Sequence, residues 1–157
     1  MKDSFATVRC DSLSHKWEQA ISRETNIYGR GNDIRSEFER DYTRLLHCES
    51  YRRLKHKTQV FYAPHNDHVC TRMEHVLHVE SVSSTIAKYL GLNTELTSAI
   101  AIGHDIGHAP FGHAGEEILN SLMTENKVSE GKNAPKKFWH ERNSLFFADF
   151  IDTLQGP

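Results

Sequence analysis

Ala99-Ile100-Ala101-Ile102-Gly103-His104-Asp105-Ile106-Gly107-His108-Ala109-Pro110-Phe111-Gly112-His113 crowds three imidazoles and a carboxylate into an apolar, glycine-rich stretch, and Glu116 and Glu117 follow within a turn. Solvated surface charge rarely has this pattern. The helix carrying Ala99 to Ile102 runs straight into His104-Asp105, so the pair is expected at the inner end of a buried segment, where an unpaired ionisable group is costly. A divalent cation is the compensation this chemistry suggests.

Upstream of that stretch, Asn93 or Thr94 is placed to cap the helix, which carries Leu96, Ile100, Ala101 and His104 on one face. Before it, Thr71-Arg72-Met73-Glu74 matches a capping box opening a helix that runs to Leu90, with Gly91 as its stop. With His75 at angle zero and about 100° per residue, Val79, Val82, Ile86, Tyr89 and Leu90 fall within roughly 60° of it. This puts His75 on the expected buried stripe and leaves His78 at its edge, half exposed and inert. Further upstream, Leu13 to Thr25 reads as a short helix with Ser12 as its cap, and Gly29 to Asn32 breaks the chain. Asp33 is placed to cap a long helix to about Lys57, with Ile34, Phe38, Tyr42, Leu45, Leu46 and Leu54 at helical spacing. Its other face is basic (Arg40, Arg44, Arg52, Arg53, Lys55, Lys57), and for Arg40 and Arg44 a solvated face is the expected meaning. Val60 to Tyr62 reads as a short extended piece, followed by a loop.

Downstream, Gly107 and Ala109-Pro110 interrupt the helical pattern, a helix follows from about His113 to Met123, residues 124–137 read as a polar loop, and Phe138 to Leu154 returns to helix. The apolar side of that last helix is Phe146, Phe147, Phe150 and Ile151. No alternating strand pattern and no internal repeat occurs, so the expected fold is all-α, with residues 1–32 as an N-terminal segment and 33–157 as the main domain.

The chain has 157 residues, a formal net charge of −2, 38% hydrophobic and 25% charged residues, as expected of one soluble globular domain. Bulk charge therefore does not attract nucleic acid or anionic lipid, although the basic face before Lys57 leaves single-stranded nucleic acid open as a partner. Cys10, Cys48 and Cys70 have no Cys-x-x-Cys spacing and read as free thiols. No apolar leader or membrane-length run occurs, which predicts a cytoplasmic protein with no membrane contact. Histidine is the compositional anomaly, with eleven residues. His15, His47, His56, His65 and His68 lie in polar surroundings and are expected to be surface residues.

His75, His104 and Asp105 come from two successive helices, and antiparallel neighbours bring inward faces together. Two imidazole nitrogens and a carboxylate oxygen form a ligand set for borderline or hard divalent ions. Gly103 and Gly107 flank the pair without side chains, leaving room for an ion. His108 and His113 can point back over it because Pro110 and Gly112 bend the backbone. Glu116, three residues after His113, can hold that imidazole as a general acid for a leaving oxygen, and a purely structural capping pair fits the same spacing. Arg72 sits about 60° from His75 on the same helix. A metal site bordered by Arg and Lys suits a phosphate-bearing substrate, with the ion binding a non-bridging oxygen and making hydroxide available near neutral pH.

His75 followed by His104-Asp105 resembles the opening of the His, His-Asp, Asp signature of HD-domain metal-dependent phosphohydrolases. More narrowly, Tyr51-Arg52-Arg53-Leu54, Lys57 to Phe61, Thr71 to His75, Gly103 to Glu116 and Phe138-Trp139-His140-Glu141 resemble the deoxyguanosinetriphosphate triphosphohydrolase (dNTPase) branch, in the same order over roughly residues 33–151. The resemblance implies an HD-domain helical bundle that cleaves a dNTP, dGTP favoured, into deoxynucleoside and inorganic triphosphate with Mg²⁺ or Mn²⁺. It makes His75, His104 and Asp105 metal ligands, His113 with Glu116 the acid/base pair, and His140 a further catalytic imidazole. On the substrate side it assigns Arg72 to the outer phosphates, His108 to the phosphate site and the Arg52-Arg53 end of the basic helix to the sugar or base. Homo-oligomers are common in the family.

One departure stands out. The signature's last Asp lies well downstream in the family, whereas Asp149 and Asp152 follow His140 by only nine and twelve residues and are no convincing counterpart. Family members are at least about twice this length, so the chain is expected to be an N-terminal part. Two other readings stay open: an HD phosphohydrolase acting on a nucleoside monophosphate, cyclic dinucleotide or guanosine polyphosphate, and a non-catalytic HD remnant that binds nucleotide or a partner.

Overall fold

The computed structural model describes residues 5, 7–22, 33–57, 66, 68–125 and 137–151, and all its regular elements are helical. They are α1 (Trp17–Ile21), α2 (Glu37–His47), α3 (Glu49–Arg53) with a 3₁₀ turn Leu54–His56, α4 (Arg72–Leu90), α5 (Thr94–Gly103), α6 (Gly112–Glu125) and α7 (His140–Phe146), which continues as a π turn, Phe147–Ile151. No described helix is long and apolar enough to cross a membrane. The expected extended piece at residues 60–62, most of the polar loop and the end of the last helix lie outside the described residues.

α4, α5 and α2 form the frame: α5 packs on both of the others. The local signals that open and close α4 act as their chemistry predicts. Thr71 accepts from the Glu74 amide, the Glu74 carboxylate accepts from the Thr71 amide, and Gly91 takes the left-handed φ of 72° that an L side chain resists. Asn93 caps α5 by accepting from Leu96 N at 2.9 Å.

Elsewhere the expectations shift. The long helix from Asp33 to Lys57 is three pieces, because Cys48 turns extended (φ −70°, ψ 155°) and its Sγ accepts from Tyr51 N to start α3. That break swings Tyr51 and Leu54 into the core beside Cys48, Val76, Ile102 and Ile106. Ser36, not Asp33, caps α2, in a box with Glu39, while Asp33 binds Arg35. The first helix is only Trp17–Ile21 within its described part, with Lys16 at its N-cap and no side-chain cap from Ser12. Arg40 and Arg44 are half-buried and paired with Glu37 and Asp41, rather than freely solvated.

The buried line of α4 also differs. Arg72, Val76 and Ala87 face inward, whereas Val82, Ile86 and Tyr89 are 60%, 53% and 65% exposed. The helix is rotated by about a quarter turn from its apolar stripe. Two polar pins account for the rotation: the Arg72 guanidinium donates to Asp105 Oδ2 at 2.8 Å, and Ser98 Oγ donates to Glu80 Oε1 at 2.6 Å. In α5 it is Ala99, Ala101 and Ile102 that are buried, and Ile100 points out. Phe146, Phe150 and Ile151 of the last helix are exposed too, and only Phe147 and Ala148 of that segment join the core.

α7 is docked backbone to backbone on the loop after α5. Gly107 N–H donates to Ser144 Oγ at 3.0 Å, and the Ser144 hydroxyl lies 2.8 Å from the His104 carbonyl and 2.9 Å from that of His140. Asn143 Nδ2 donates to Gly107 O at 2.7 Å. A Cβ at Gly107 would sit 2.3 Å from Ser144 N and 2.4 Å from Asn143 C, so only glycine permits this approach. The chain then turns through left-handed Phe111 (φ 64°) and Gly112 (φ 63°) into α6.

Two stability measurements test this architecture. Gly107→Ala is expected to cost about 1–3 kcal/mol in urea denaturation because a helix backbone must retreat. Gly103→Ala, whose Cβ meets only the flexible Leu45 Cδ1 at 3.2 Å, is expected to cost well under about 1 kcal/mol; equal costs would refute the packing argument. Arg72→Met strands the Asp105 carboxylate and is expected to cost about 3–5 kcal/mol, most of it recovered in the double variant Arg72→Met/Asp105→Leu.

Candidate metal centre

Helix α4 presents His75 one turn after its cap, and the end of α5 presents His104 and Asp105. One ligand atom from each of the three lies within 4.8 Å of the others, and the His75 and His104 rings approach edge to face at 5.7 Å between centroids. His104 Nδ1 is 2.7 Å from the Ala101 carbonyl oxygen. Because a carbonyl can only accept, Nδ1 is the donating nitrogen, which leaves Nε2 as the one that a metal can use. Burial holds the His75 imidazole below its ordinary pKa, with Asp105 opposing and His104 and Arg72 reinforcing, so it is neutral near pH 7.

Asp105 is 2% exposed and Arg72 6%. Burial pushes the Asp105 carboxyl upward, but the Arg72 hydrogen bond and charge outweigh it and hold it below the usual range, so a carboxylate is kept in a dry place. Oδ2 faces Arg72, which leaves Oδ1 for another cation. A buried carboxylate and two imidazoles, one of them with Nδ1 held by a carbonyl, fit a divalent ion by their chemistry.

A second group stands across the turn. His108, His113, Glu116 and His140 each offer a ligand atom within 4.8 Å of the rest. His140 stacks on His108 at 4.5 Å and 14°, and His113 meets both rings edge-on at 5.3 and 5.9 Å. Glu116 serves two imidazoles: its Oε2 is 3.2 Å from His140 Nδ1 and 3.4 Å from His113 Nδ1, and Oε1 accepts from His140 N at 3.2 Å. Those bonds from His140, side chain and backbone, hold the Glu116 carboxyl below its normal pKa against the opposing effect of burial. Burial and the Arg72 charge push His108 down to about 4, so it is a neutral imidazole at physiological pH.

The residues singled out in the sequence therefore divide. His75, His104 and Asp105 converge; His108, His113, Glu116 and His140 converge; Arg72 is buried against Asp105. Arg52 and Arg53 are exposed at the end of α3, where Arg52 donates to His47 O at 3.0 Å and Arg53 faces Glu49 at 3.8 Å. The expected surface histidines His15, His47, His56 and His68 are exposed, as is His78; His65 lies outside the described residues. Three supporting roles escaped the sequence reading. Lys57 Nζ donates to the His108 carbonyl at 3.2 Å, and Asn143 and Ser144 clamp α7 onto the loop. Their partners are 51, 36 and 37 residues away in the chain, so no local pattern marks them.

Residues 72–150 match the HD domain family. Among curated relatives, the chain is 56% identical over 107 residues to a deoxyguanosinetriphosphate triphosphohydrolase-like protein of Caldanaerobacter subterraneus subsp. tengcongensis, covering 66% of this chain and 32% of the relative. Proteins with the same description from Desulfatibacillum aliphaticivorans and Geobacter metallireducens are each 44% identical over 119 residues, covering 76% of this chain and 31% and 28% of theirs. The chain thus spans about a third of the length of these relatives. The matched segment runs from Arg72 through both imidazole groups to α7, and the chain belongs to the HD domain family.

Proposed function

We propose that this chain carries the catalytic residues of a dNTP triphosphohydrolase, with dGTP the favoured substrate. The observation that carries the reading is a pair of donor groups that both draw on residues 104–116: a His75, His104, Asp105 triad fit for a divalent ion, and the imidazole-carboxylate group of His108, His113, Glu116 and His140. The shared description of the relatives, deoxyguanosinetriphosphate triphosphohydrolase-like, supports the substrate class.

When bound by His75, His104 and Asp105, an Mg²⁺ or Mn²⁺ ion supplies Lewis acidity toward a phosphoryl oxygen. The protein's own groups do the rest. Water's oxygen bonds to the α-phosphorus as the bond from phosphorus to the 5′ oxygen breaks, releasing deoxynucleoside and inorganic triphosphate. His113, oriented by Glu116, gives a proton to the departing 5′ oxygen, and the proton lost by water restores the imidazole. His140, held by Glu116 and stacked on His108, bears on the α-phosphate, and neutral His108 lines the phosphate site. Arg72 commits one nitrogen to Asp105 and keeps its other N–H groups for phosphate oxygens; Arg52 and Arg53 meet the sugar or base.

Incubating the chain with each dNTP and Mn²⁺ or Mg²⁺ is expected to release tripolyphosphate, read by phosphorus NMR. Diphosphate or monophosphate overturns the assignment, and no product points instead to an N-terminal part that is inactive alone. His104→Ala and Asp105→Ala are expected to lose bound metal and turnover together. His113→Ala is expected to slow turnover by about 10²–10⁴-fold with metal content unchanged; a fall in its metal content would remove it from the role of acid.

A further inference from the structure

Lys55, His56 and Lys57 end the basic run, and only Lys57 turns inward: the first two are exposed and Lys57 is half-buried. It is tied at both ends. Its carbonyl accepts from Arg72 N at 2.8 Å, at the start of α4, and its Nζ donates to the His108 carbonyl at 3.2 Å, on the turn after α5. That carbonyl is neutral, and among the described residues Lys57 makes no ion pair. A lysine withdrawn from water usually has an anion beside it. The carboxylate whose charge favours Lys57 is Asp105, and Asp105 is already bonded to Arg72 at 2.8 Å. Lys57 and Arg72 thus set two positive charges against one negative charge, and burial together with the Arg72 charge pushes the Lys57 pKa below its ordinary value.

We propose that Lys57 is a substrate-recognition residue, whose ammonium joins the Arg72 guanidinium in a paired cationic seat for the phosphates of a linear polyphosphate. An ammonium keeps further N–H groups after one goes to a carbonyl, and a guanidinium presents its fork to neighbouring oxygens. Two cations from separate segments favour an anion with several phosphoryl groups over orthophosphate, whose charge is smaller. The same ammonium holds the His108 carbonyl, so anion binding is linked to the placement of the turn that carries Asp105 and His108. The seat rests on the hydrolase reading for its natural ligand, and it deepens that reading by adding a cation from the segment before α4.

Calorimetric titration of the chelator-treated chain with inorganic tripolyphosphate tests the seat without metal or turnover. The wild type is expected to bind tripolyphosphate at least about tenfold more tightly than orthophosphate, and Lys57→Met to weaken tripolyphosphate binding at least about tenfold. Lys57→Arg, which keeps the charge, is expected to stay within about threefold of the wild type. Lys57→Gln keeps an N–H donor for the His108 carbonyl but not the charge, and is expected to behave like Lys57→Met; a lysine that only pegs the turn would tolerate this change. The variants are compared where circular dichroism shows them folded, and if Lys57→Met melts early, Lys57→Gln against Lys57→Arg decides. No tripolyphosphate binding by the wild type, unchanged binding by Lys57→Met or Lys57→Gln, or an equal loss in Lys57→Arg would each overturn the proposal. Turnover is scored separately: where a dNTP is cleaved, Lys57→Gln is expected to raise KM about tenfold with kcat within about threefold. Failure of the hydrolase reading leaves the tripolyphosphate titration to decide.

Discussion

A guanidinium and a carboxylate withdrawn from water, Arg72 and Asp105, meet at 2.8 Å between the first turn of α4 and the end of α5. Neither ion tolerates that burial alone, so the contact acts as a constraint on everything joined to it. It turns α4 about its axis, bringing Val76 into the core and His75 beside His104 and Asp105. It also keeps Asp105 ionised and leaves one of its oxygens for another cation. Stability of the frame and readiness of the site are thus set by the same pair.

The second constraint is steric. Gly107 lets the backbone of α7 come within reach of the loop that follows α5, and Ser144 and Asn143 satisfy the loop's polar groups at the contact. His140 is carried in on α7 and laid on His108, while Glu116 arrives from α6. Four side chains from three parts of the chain are held in one group by Glu116, which meets both the His113 and His140 rings and the His140 amide, and by the stacking of His140 on His108.

The two groups differ in chemistry although they share a turn. Around Asp105 a buried anion dominates and selects for a hard or borderline cation. Around Glu116 three imidazoles outnumber one carboxylate, and the balance moves toward proton transfer. Separation of the two rests on short distances: His108 is only three residues beyond Asp105, yet its ring faces α7 while Asp105 faces α4.

What could be read from the chain alone followed from chemistry between near neighbours. Thr71 with Glu74, Gly91 and Asn93 delimit α4 and α5 by hydrogen bonds and dihedral preferences spanning at most a few residues, and the all-helical class follows from the apolar spacing. His75, His104 and Asp105 could be picked out as ligand types at a buried helix end, and the surface histidines by their polar neighbours. Cys48 breaks a periodicity that continues on both sides of it, because the core gains Tyr51 and Leu54 by the turn. The rotation of α4 and the packing of Ser144 on Gly107 were decided only in the tertiary structure: they depend on pairings 33 and 37 residues apart, whose energy exists only once the helices have met.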